Sequence, residues 1–96
     1  MPAYFIADIS IHGPDGYQAY LAGFIDIFDR YCGKLKVVSS AEVDVIEGDW
    51  APKGIALLEF PTLEKAKAWK NNPDYIELAK SRKATAETNL VLVEGL

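Results

Sequence analysis

The sequence is poor in the residues that build metal centres and covalent cross-links. Its 96 residues include one cysteine, Cys32, and one histidine, His12. A lone cysteine excludes an internal disulfide and is compatible with a reducing cytoplasm. Neither residue has a second cysteine or histidine with which to share a metal ion. We therefore expect a cytoplasmic protein that holds no metal.

Motifs of common cofactor and nucleic-acid sites are also absent. The chain has no glycine-rich phosphate loop, no nucleophile elbow and no dinucleotide fingerprint, so no cofactor is expected. It starts without the basic region of an export signal and has no apolar run long enough to cross a bilayer. The net charge is −4 and the ten basic residues are scattered, which argues against a nucleic acid or an anionic membrane as partner.

The composition that remains is that of one ordinary globular domain over residues 1–96. Half of the residues are hydrophobic and 25% are charged, as in a soluble protein with a packed core. A chain of this length buries only about two thirds of the surface that its unfolded form exposes. We therefore expect a single domain with a thin core.

The spacing of apolar and turn residues predicts a succession of strands and helices. Strands are expected at residues 4–11, 34–39, 43–47, 54–60 and 90–94, with a bend at Ser40-Ala41 between two short pieces of the second strand region. A helix is expected from Tyr17 to a stop at Gly33, and Thr62 and Asn72 are expected to cap two later helices. This order predicts a ferredoxin-like α+β fold, βαββαβ, with a four-stranded antiparallel sheet and the helices on one face.

Alternation along the strands sorts the side chains onto two faces of the sheet. The face expected beneath the helices carries Phe5, Ala7, Ile9, Ile11, Ala56, Leu58 and Phe60. The opposite face carries Tyr4, Ile6, Asp8, Ser10, Ile55, Leu57 and Glu59. Large apolar patches generally mark interaction sites, and this second face is too apolar to stand open to water. We expect it to pack against its counterpart in a second chain, which predicts a homodimer.

RNA-recognition domains share this topology and provide an alternative. Residues 53–60 match the spacing of their third-strand signature, which starts with a basic residue and a glycine. The two aromatic residues that stack on bases in that signature are replaced by Ile55 and Leu57, which offer no flat π-face. We therefore do not expect RNA binding.

Several short motifs, taken together and in order, resemble a known family. They are Glu47-Gly48-Asp49-Trp50, Leu58-Glu59-Phe60-Pro61, Ala68-Trp69, Asn72-Pro73-Asp74-Tyr75, Arg82 and Leu92-Val93-Glu94-Gly95. They cover nearly the whole chain and are similar to the bacterial family named domain of unknown function 1330. The resemblance implies the dimeric α+β barrel superfamily, in which two ferredoxin-like subunits pack sheet against sheet. It implies no particular activity, because relatives include cofactor-independent oxygenases, isomerases, lyases and plain ligand binders.

Glu59 is the leading candidate for a functional residue, because it is a carboxylate inside an otherwise apolar strand. Such a charge either reaches water or marks a site, since burial without a partner is costly. We predict a charged pair with Arg82, which is either a structural ion pair between strand and helix or a pair at the mouth of a pocket with Glu59 as a general base. Asp8 and Tyr4 share the face of Glu59 and either converge with it in a site or form a polar seam of the dimer.

Three further residues are candidates for ligand binding. Trp50 stands in a polar turn and either covers a pocket or packs on the domain edge or the partner. His12 is a candidate proton shuttle because imidazole changes its charge near neutral pH, although its place beside a turn favours a solvated residue. Tyr20 follows helical spacing and is expected in the core, with a hydroxyl that can point into a cavity.

Two functional hypotheses follow from these residues. The first is a cofactor-independent enzyme acting on a small, largely apolar organic molecule, in which Glu59 or Asp8 moves a proton and Arg82 or a tyrosine hydroxyl stabilises negative charge. The second is a non-catalytic homodimer that binds a small metabolite or another protein. An apolar cavity with Glu59 and Arg82 at its wall favours a small-molecule site, whereas a filled interior favours a structural role.

Overall fold

A computed structural model describes residues 1–96 as one four-stranded sheet with three helices. In chain order the elements are β1 (Ala3–Ile11), α1 (Pro14–Arg30), β2 (Lys34–Val37), β3 (Ile55–Phe60), α2 (Leu63–Asn71), α3 (Pro73–Thr85) and β4 (Ala86–Glu94). The strand order is β2-β3-β1-β4, and all neighbours are antiparallel. The predicted ferredoxin-like α+β fold is therefore confirmed. None of the helices combines the length and the apolar character that a bilayer span needs.

The two faces of the sheet differ in burial as the strand alternation predicts. Along β1, Phe5, Ala7 and Ile9 are buried beneath the helices, while the residues between them are partly exposed on the other face. The same alternation holds in β3, where Ala56, Leu58 and Phe60 are the buried residues. We call the helix-free side the open face of the sheet. It remains partly accessible in the single chain.

The core is densest at one end of the sheet, where aromatic side chains gather around Trp69. The Trp69 ring lies 5.4 Å from Phe5, 5.3 Å from Phe60 and 4.1 Å from Tyr75, measured between ring centres. Such pairs bury large areas of apolar surface in preferred geometries. At the centre of the sheet the large side chains give way to Ala7 and Ala56, which face each other across β1 and β3. These two small residues leave space between the sheet and the helices.

Helix α1 ends at a different residue from the one that the sequence predicts. Cys32, not Gly33, adopts the left-handed backbone conformation, with φ of 60°. The amide of Gly33 donates to the carbonyl of Phe28 and that of Cys32 to the carbonyl of Asp29, which together form a Schellman motif. Gly33 is needed for another reason, because a side chain there would overlap the Phe28 ring.

Helix α1 also runs without interruption through Gly23, an unusual residue for mid-helix. A Cβ at this position would lie 3.0 Å from Cδ1 of Leu78 in α3. The glycine therefore allows α1 and α3 to pack closely on the sheet. Helices α2 and α3 begin at the predicted caps: the Thr62 hydroxyl accepts from the amide of Lys65, and the Asn72 side chain accepts from two amides of its own helix.

The predicted strand at residues 43–47 is wrong. Those residues belong to an irregular connection between β2 and β3, and Ile46 is 89% exposed. A run of β-branched residues does not make a strand by itself, because a strand also needs a neighbour with free backbone groups. The predicted bend at Ser40-Ala41 is present, as a turn in which the amide of Ala41 donates to the carbonyl of Val38. The ladder of β2 and β3 is short and also shifts register between Leu35 and Val37. Strand β4, in contrast, begins four residues earlier than predicted, at Ala86.

Candidate functional site

The space above Ala7 and Ala56 is a cavity of about 490 Å³ between the sheet, α1 and α3. This volume is within the range of small-molecule sites in proteins. Fifteen of the 20 residues that line it are hydrophobic. Strands β1, β3 and β4 supply its floor, and the side chains of α1 and α3 supply its roof. The interior is therefore not filled by the core.

Partly exposed apolar side chains surround the mouth of the cavity. They come from β1, α1, β2 and the residue after it, are 41 to 47% exposed, and comprise Ile11, Leu21, Ile25, Leu35 and Val38. Exposed large apolar side chains gathered in one place mark a binding surface more often than scattered ones do. The cavity therefore opens to solvent through an apolar rim.

A pair of tyrosine hydroxyls provides polar groups in the cavity. The hydroxyl oxygens of Tyr20 and Tyr75 lie 2.9 Å apart, and both residues are buried. Whichever hydroxyl donates in this bond, the other keeps one proton for a further acceptor. Burial raises the pKa of Tyr20 far above its ordinary value, and the neighbouring Tyr75 raises it further. Tyr20 is therefore a neutral phenol, able to donate a hydrogen bond near neutral pH.

Arg82 is the only charged residue that lines this cavity. It lies on the face of α3 that also carries Tyr75 and Ala79, and it is only 7% exposed. Its guanidinium carbon is 5.9 Å from the centre of the Tyr20 ring. The guanidinium forms no ion pair and no hydrogen bond with another protein group. Arg82 thus brings a positive charge without a protein partner to the cavity wall, and its nitrogens are not among the fully buried atoms.

Two residues at the cavity each carry a fully buried polar atom that has no hydrogen-bond partner in the protein. These atoms are the indole Nε1 of Trp69 and the hydroxyl of Thr88. Both residues line the cavity. Thr88 lies in β4 opposite Ile9 of β1, so its side chain belongs to the face of the sheet beneath the helices.

Arg82 also borders a second, smaller cavity of about 360 Å³ with a basic wall. Lys70 and Lys83 line this cavity together with Arg82 and Thr88. Burial lowers the pKa of Lys70, and the positive charges of Lys83 and Arg82 lower it further. Three cations thus lie close enough to repel one another, in a protein whose net charge is negative.

The predicted pair of Glu59 and Arg82 does not form. Glu59 points to the open face, whereas Arg82 lies on the opposite side of the sheet beneath α3. Glu59 instead accepts a hydrogen bond of 2.9 Å from the hydroxyl of Tyr4 and lies 3.8 Å from Nζ of Lys36. The hydrogen bond to Glu59 raises the pKa of Tyr4, with smaller effects of desolvation and of the carboxylate charge. The face of a strand residue follows from alternation, and opposite charge alone cannot bring two residues together.

The other candidates are also distributed over different surfaces. Asp8 accepts a hydrogen bond of 3.1 Å from the indole Nε1 of Trp50. Trp50 is 61% exposed and lies at the open face, so it does not cover the cavity. In the β1–β3 register Asp8 lies opposite Ile55, four residues from the Tyr4–Glu59 pair. At about 3.3 Å per residue this separation is roughly 13 Å, so Asp8 does not join that pair. His12 is exposed after β1 and lines neither cavity.

Of the candidate site residues, Tyr20 and Arg82 are therefore the two that line the cavity. Sequence reasoning missed Trp69, Tyr75 and Thr88. A signal for Tyr75 was available, because it precedes Arg82 by seven residues and so shares a helix face with it. Thr88 was missed because the predicted start of the last strand lay beyond it.

Comparison with known proteins identifies the family. The model of a domain of unknown function, DUF1330, matches residues 2–96. The chain belongs to the DUF1330 family. The resemblance drawn from its motifs is thereby confirmed. No curated protein matches this DUF1330 chain.

Solved structures share the fold of this DUF1330 chain at low sequence identity. RPA0582 from Rhodopseudomonas palustris, a protein of unknown function, has a TM-score of 0.80 at 20% identity, with 99% of this chain and 82% of that one covered. SnoaB from Streptomyces nogalater, a cofactor-independent oxygenase, has a TM-score of 0.63 at 12% identity over 99% and 93%. A dimeric ferredoxin-like protein of unknown function from Bacteroides fragilis has a TM-score of 0.61 at 16% identity over 98% and 96%. At these identities the likeness establishes the fold alone.

Proposed function

We propose that this DUF1330 protein binds a small, largely apolar organic molecule in the cavity between its sheet and α1 and α3. The observation that carries the proposal is a cavity of about 490 Å³ with 15 hydrophobic residues among the 20 that line it. Apolar walls with a few polar groups are characteristic of sites for small organic ligands. The apolar rim gives such a molecule a path from solvent.

Binding is a better-supported role than proton transfer by Glu59 or Asp8. Both carboxylates point to the open face, and neither lines the cavity. No aspartate, glutamate or histidine lines it, and the Tyr20 phenol holds its proton too firmly to act as a base near neutral pH. A general base from this chain is therefore not part of the proposed site.

A cofactor-independent reaction of the bound molecule is the second candidate. Arg82 and the Tyr20–Tyr75 pair place a positive charge and a free hydroxyl proton beside the cavity, where they can stabilise negative charge on a substrate. The likeness to SnoaB concerns the fold and lends this reaction only general support. The test is to extract whatever molecule co-purifies, identify it by mass spectrometry and incubate it with stripped protein. A new product that Arg82→Met fails to form would support catalysis, whereas an unchanged molecule would support binding alone.

We further propose that the open face forms a homodimer. Leu57, Ile6 and Val91 lie side by side across β3, β1 and β4, so they form one apolar row. Val91 and Val93 are 57% and 44% exposed in the single chain. A self-complementary patch closes under two-fold symmetry, which limits assembly to a dimer. The Bacteroides fragilis protein of the same fold is also dimeric.

Light scattering at micromolar concentration tests the dimer. The parent protein should have twice the chain mass of 10.6 kDa. Ile6→Asp places a charge in the middle of the apolar row and should give a monomer. Ile76→Asp is the matched control, because Ile76 is 49% exposed on α3 and away from the open face. A monomeric parent, or a dimeric Ile6→Asp, would contradict the proposed interface.

Calorimetric titration with naphthalene-2-carboxamide, a neutral apolar probe, tests the cavity. Ala56→Leu fills the cavity floor and should weaken binding by about tenfold or more, because extra carbon atoms in a confined space clash with the probe. Ala19→Leu makes the same change at an exposed position of α1 and should bind like the parent. Thermal unfolding shows whether Ala56→Leu remains folded. Equal binding of the probe to all three proteins would refute a ligand site in this cavity.

A further inference from the structure

The charge of Arg82 has no counterpart in the protein. A buried charge is costly unless it is paired and hydrogen-bonded. The chain has 14 acidic residues against ten basic ones, so acidic partners are not scarce. Arg30, Lys36 and Lys80 each pair with a carboxylate at the surface. Arg82 is more deeply buried than any of these three residues. It is the charged residue that lines the cavity, and it has no carboxylate partner.

The other unpaired polar groups at the cavity have the same character. The Trp69 indole N–H can only donate, and the Thr88 hydroxyl and the spare proton of the Tyr20–Tyr75 pair are also donors without an assigned acceptor. The Trp69 and Thr88 atoms are enclosed by protein, so the guanidinium of Arg82 is the charged donor that a ligand in the cavity can reach, and no protein carboxylate pairs with it. A carboxylate oxygen accepts hydrogen bonds and donates none. Its two oxygens also match the planar fork of an arginine.

The second cavity adds positive charge on the far side of Arg82. Lys70 and Lys83 line it, and Nζ of Lys70 lies 5.8 Å from the centre of the Tyr75 ring. Neither lysine has an ion-pair partner. An anion beside Arg82 would thus lie near three cations and no carboxylate, while the apolar walls accommodate the rest of the molecule.

We propose that the molecule bound by this protein is an apolar monocarboxylic acid whose carboxylate pairs with Arg82. The inference rests on the proposed binding in the cavity and specifies its ligand class. The apolar body lies over Ala7 and Ala56, and the carboxylate lies against Arg82 in the cavity wall. Arg82 attracts the ligand because its charge has no carboxylate partner in the protein.

Calorimetric titration with two probes of nearly equal shape tests the proposal. Naphthalene-2-carboxylate carries the acid, and naphthalene-2-carboxamide carries a neutral amide in its place. The parent should prefer the carboxylate by about tenfold or more, which is the usual difference for a charge-assisted bond. Arg82→Met keeps an apolar side chain of similar length and should abolish this preference while still binding the amide. Arg30→Met is the matched control, because it removes an exposed arginine that is paired with Asp74.

The outcomes separate this proposal from the one on which it rests. Equal binding of the two probes to the parent, or an unchanged preference in Arg82→Met, would overturn the carboxylate inference and leave the cavity as a neutral ligand site. Failure of the parent to bind either probe would overturn both. Thermal unfolding gives an independent readout: without ligand, Arg82→Met should melt within about 4 °C of the parent, since the substitution removes no ion pair and no hydrogen bond within the protein. A larger fall in the melting temperature would show that Arg82 is structural and contradict the proposal.

Discussion

The hydrogen bond between Tyr20 and Tyr75 predicts a measurable coupling inside the candidate site. The two hydroxyl oxygens are 2.9 Å apart, and the residues are 5% and 2% exposed. Tyr20→Phe removes one partner and leaves the other hydroxyl buried without it. An orphaned buried group of this kind costs about 1 to 3 kcal/mol. At about 4 to 8 °C per kcal/mol for a domain of this size, the melting temperature should fall by at least about 4 °C.

A double-mutant cycle measured by urea unfolding isolates the contribution of the pair. Tyr75→Phe should cost as much as Tyr20→Phe, and the double variant should cost no more than either, because it leaves no orphaned hydroxyl. Tyr4→Phe on the open face is the control, and its loss should add to that of Tyr20→Phe within about 0.5 kcal/mol. If the Tyr20 and Tyr75 losses also add within that margin, the two hydroxyls are not coupled and the reasoning fails.

Three further predictions concern stability. Stability should fall above about pH 10, because burial raises the pKa of Tyr20 and the phenol stays protonated in the fold while it ionises in the unfolded chain. Urea unfolding at pH 9 and 11 should show a smaller loss of stability for Tyr20→Phe than for the parent. Cys32→Gly should add about 1 kcal/mol by relieving a left-handed backbone, and equal thermal stability of Cys32→Ala and Cys32→Gly would contradict this. Glu59→Gln should lower stability by less than about 1 kcal/mol, because the amide still accepts from Tyr4 and the lost ion pair with Lys36 is partly exposed. A much larger loss of stability in thermal unfolding would show a structural role for Glu59.

The sequence was sufficient to predict the fold because the decisive signals are local. Alternation in β1 and β3 assigned each side chain to a face, and Thr62 and Asn72 marked the starts of helices. Residues 43–47 show the limit of such signals, since they are rich in β-branched residues but pair with no neighbouring strand. Whether a strand forms depends on the whole sheet, and a short window of sequence does not contain that information.

The site was less predictable because it depends on how α3 packs on the sheet. Opposite charges suggested a pair of Glu59 and Arg82, but charge carries no information about which side of the sheet a residue occupies. The cavity forms because the side chains of Ala7 and Ala56 are small, and these two residues face each other only after β1 and β3 pair. A search for small residues at matched positions of neighbouring strands would have found it.

The sheet gives β1 and β3 two separate sets of positions. Residues 5, 7 and 9 of β1 and 56 and 58 of β3 face the helices, while residues 4, 6, 8, 55, 57 and 59 face outward. Under the proposed roles, a relative can change its ligand at the first set and its partner specificity at the second, with little interference between the two. Insertion or deletion of a single residue within either strand would exchange the sets. Evolution of this domain should therefore proceed by substitution within these strands and tolerate length changes only in the connections between them.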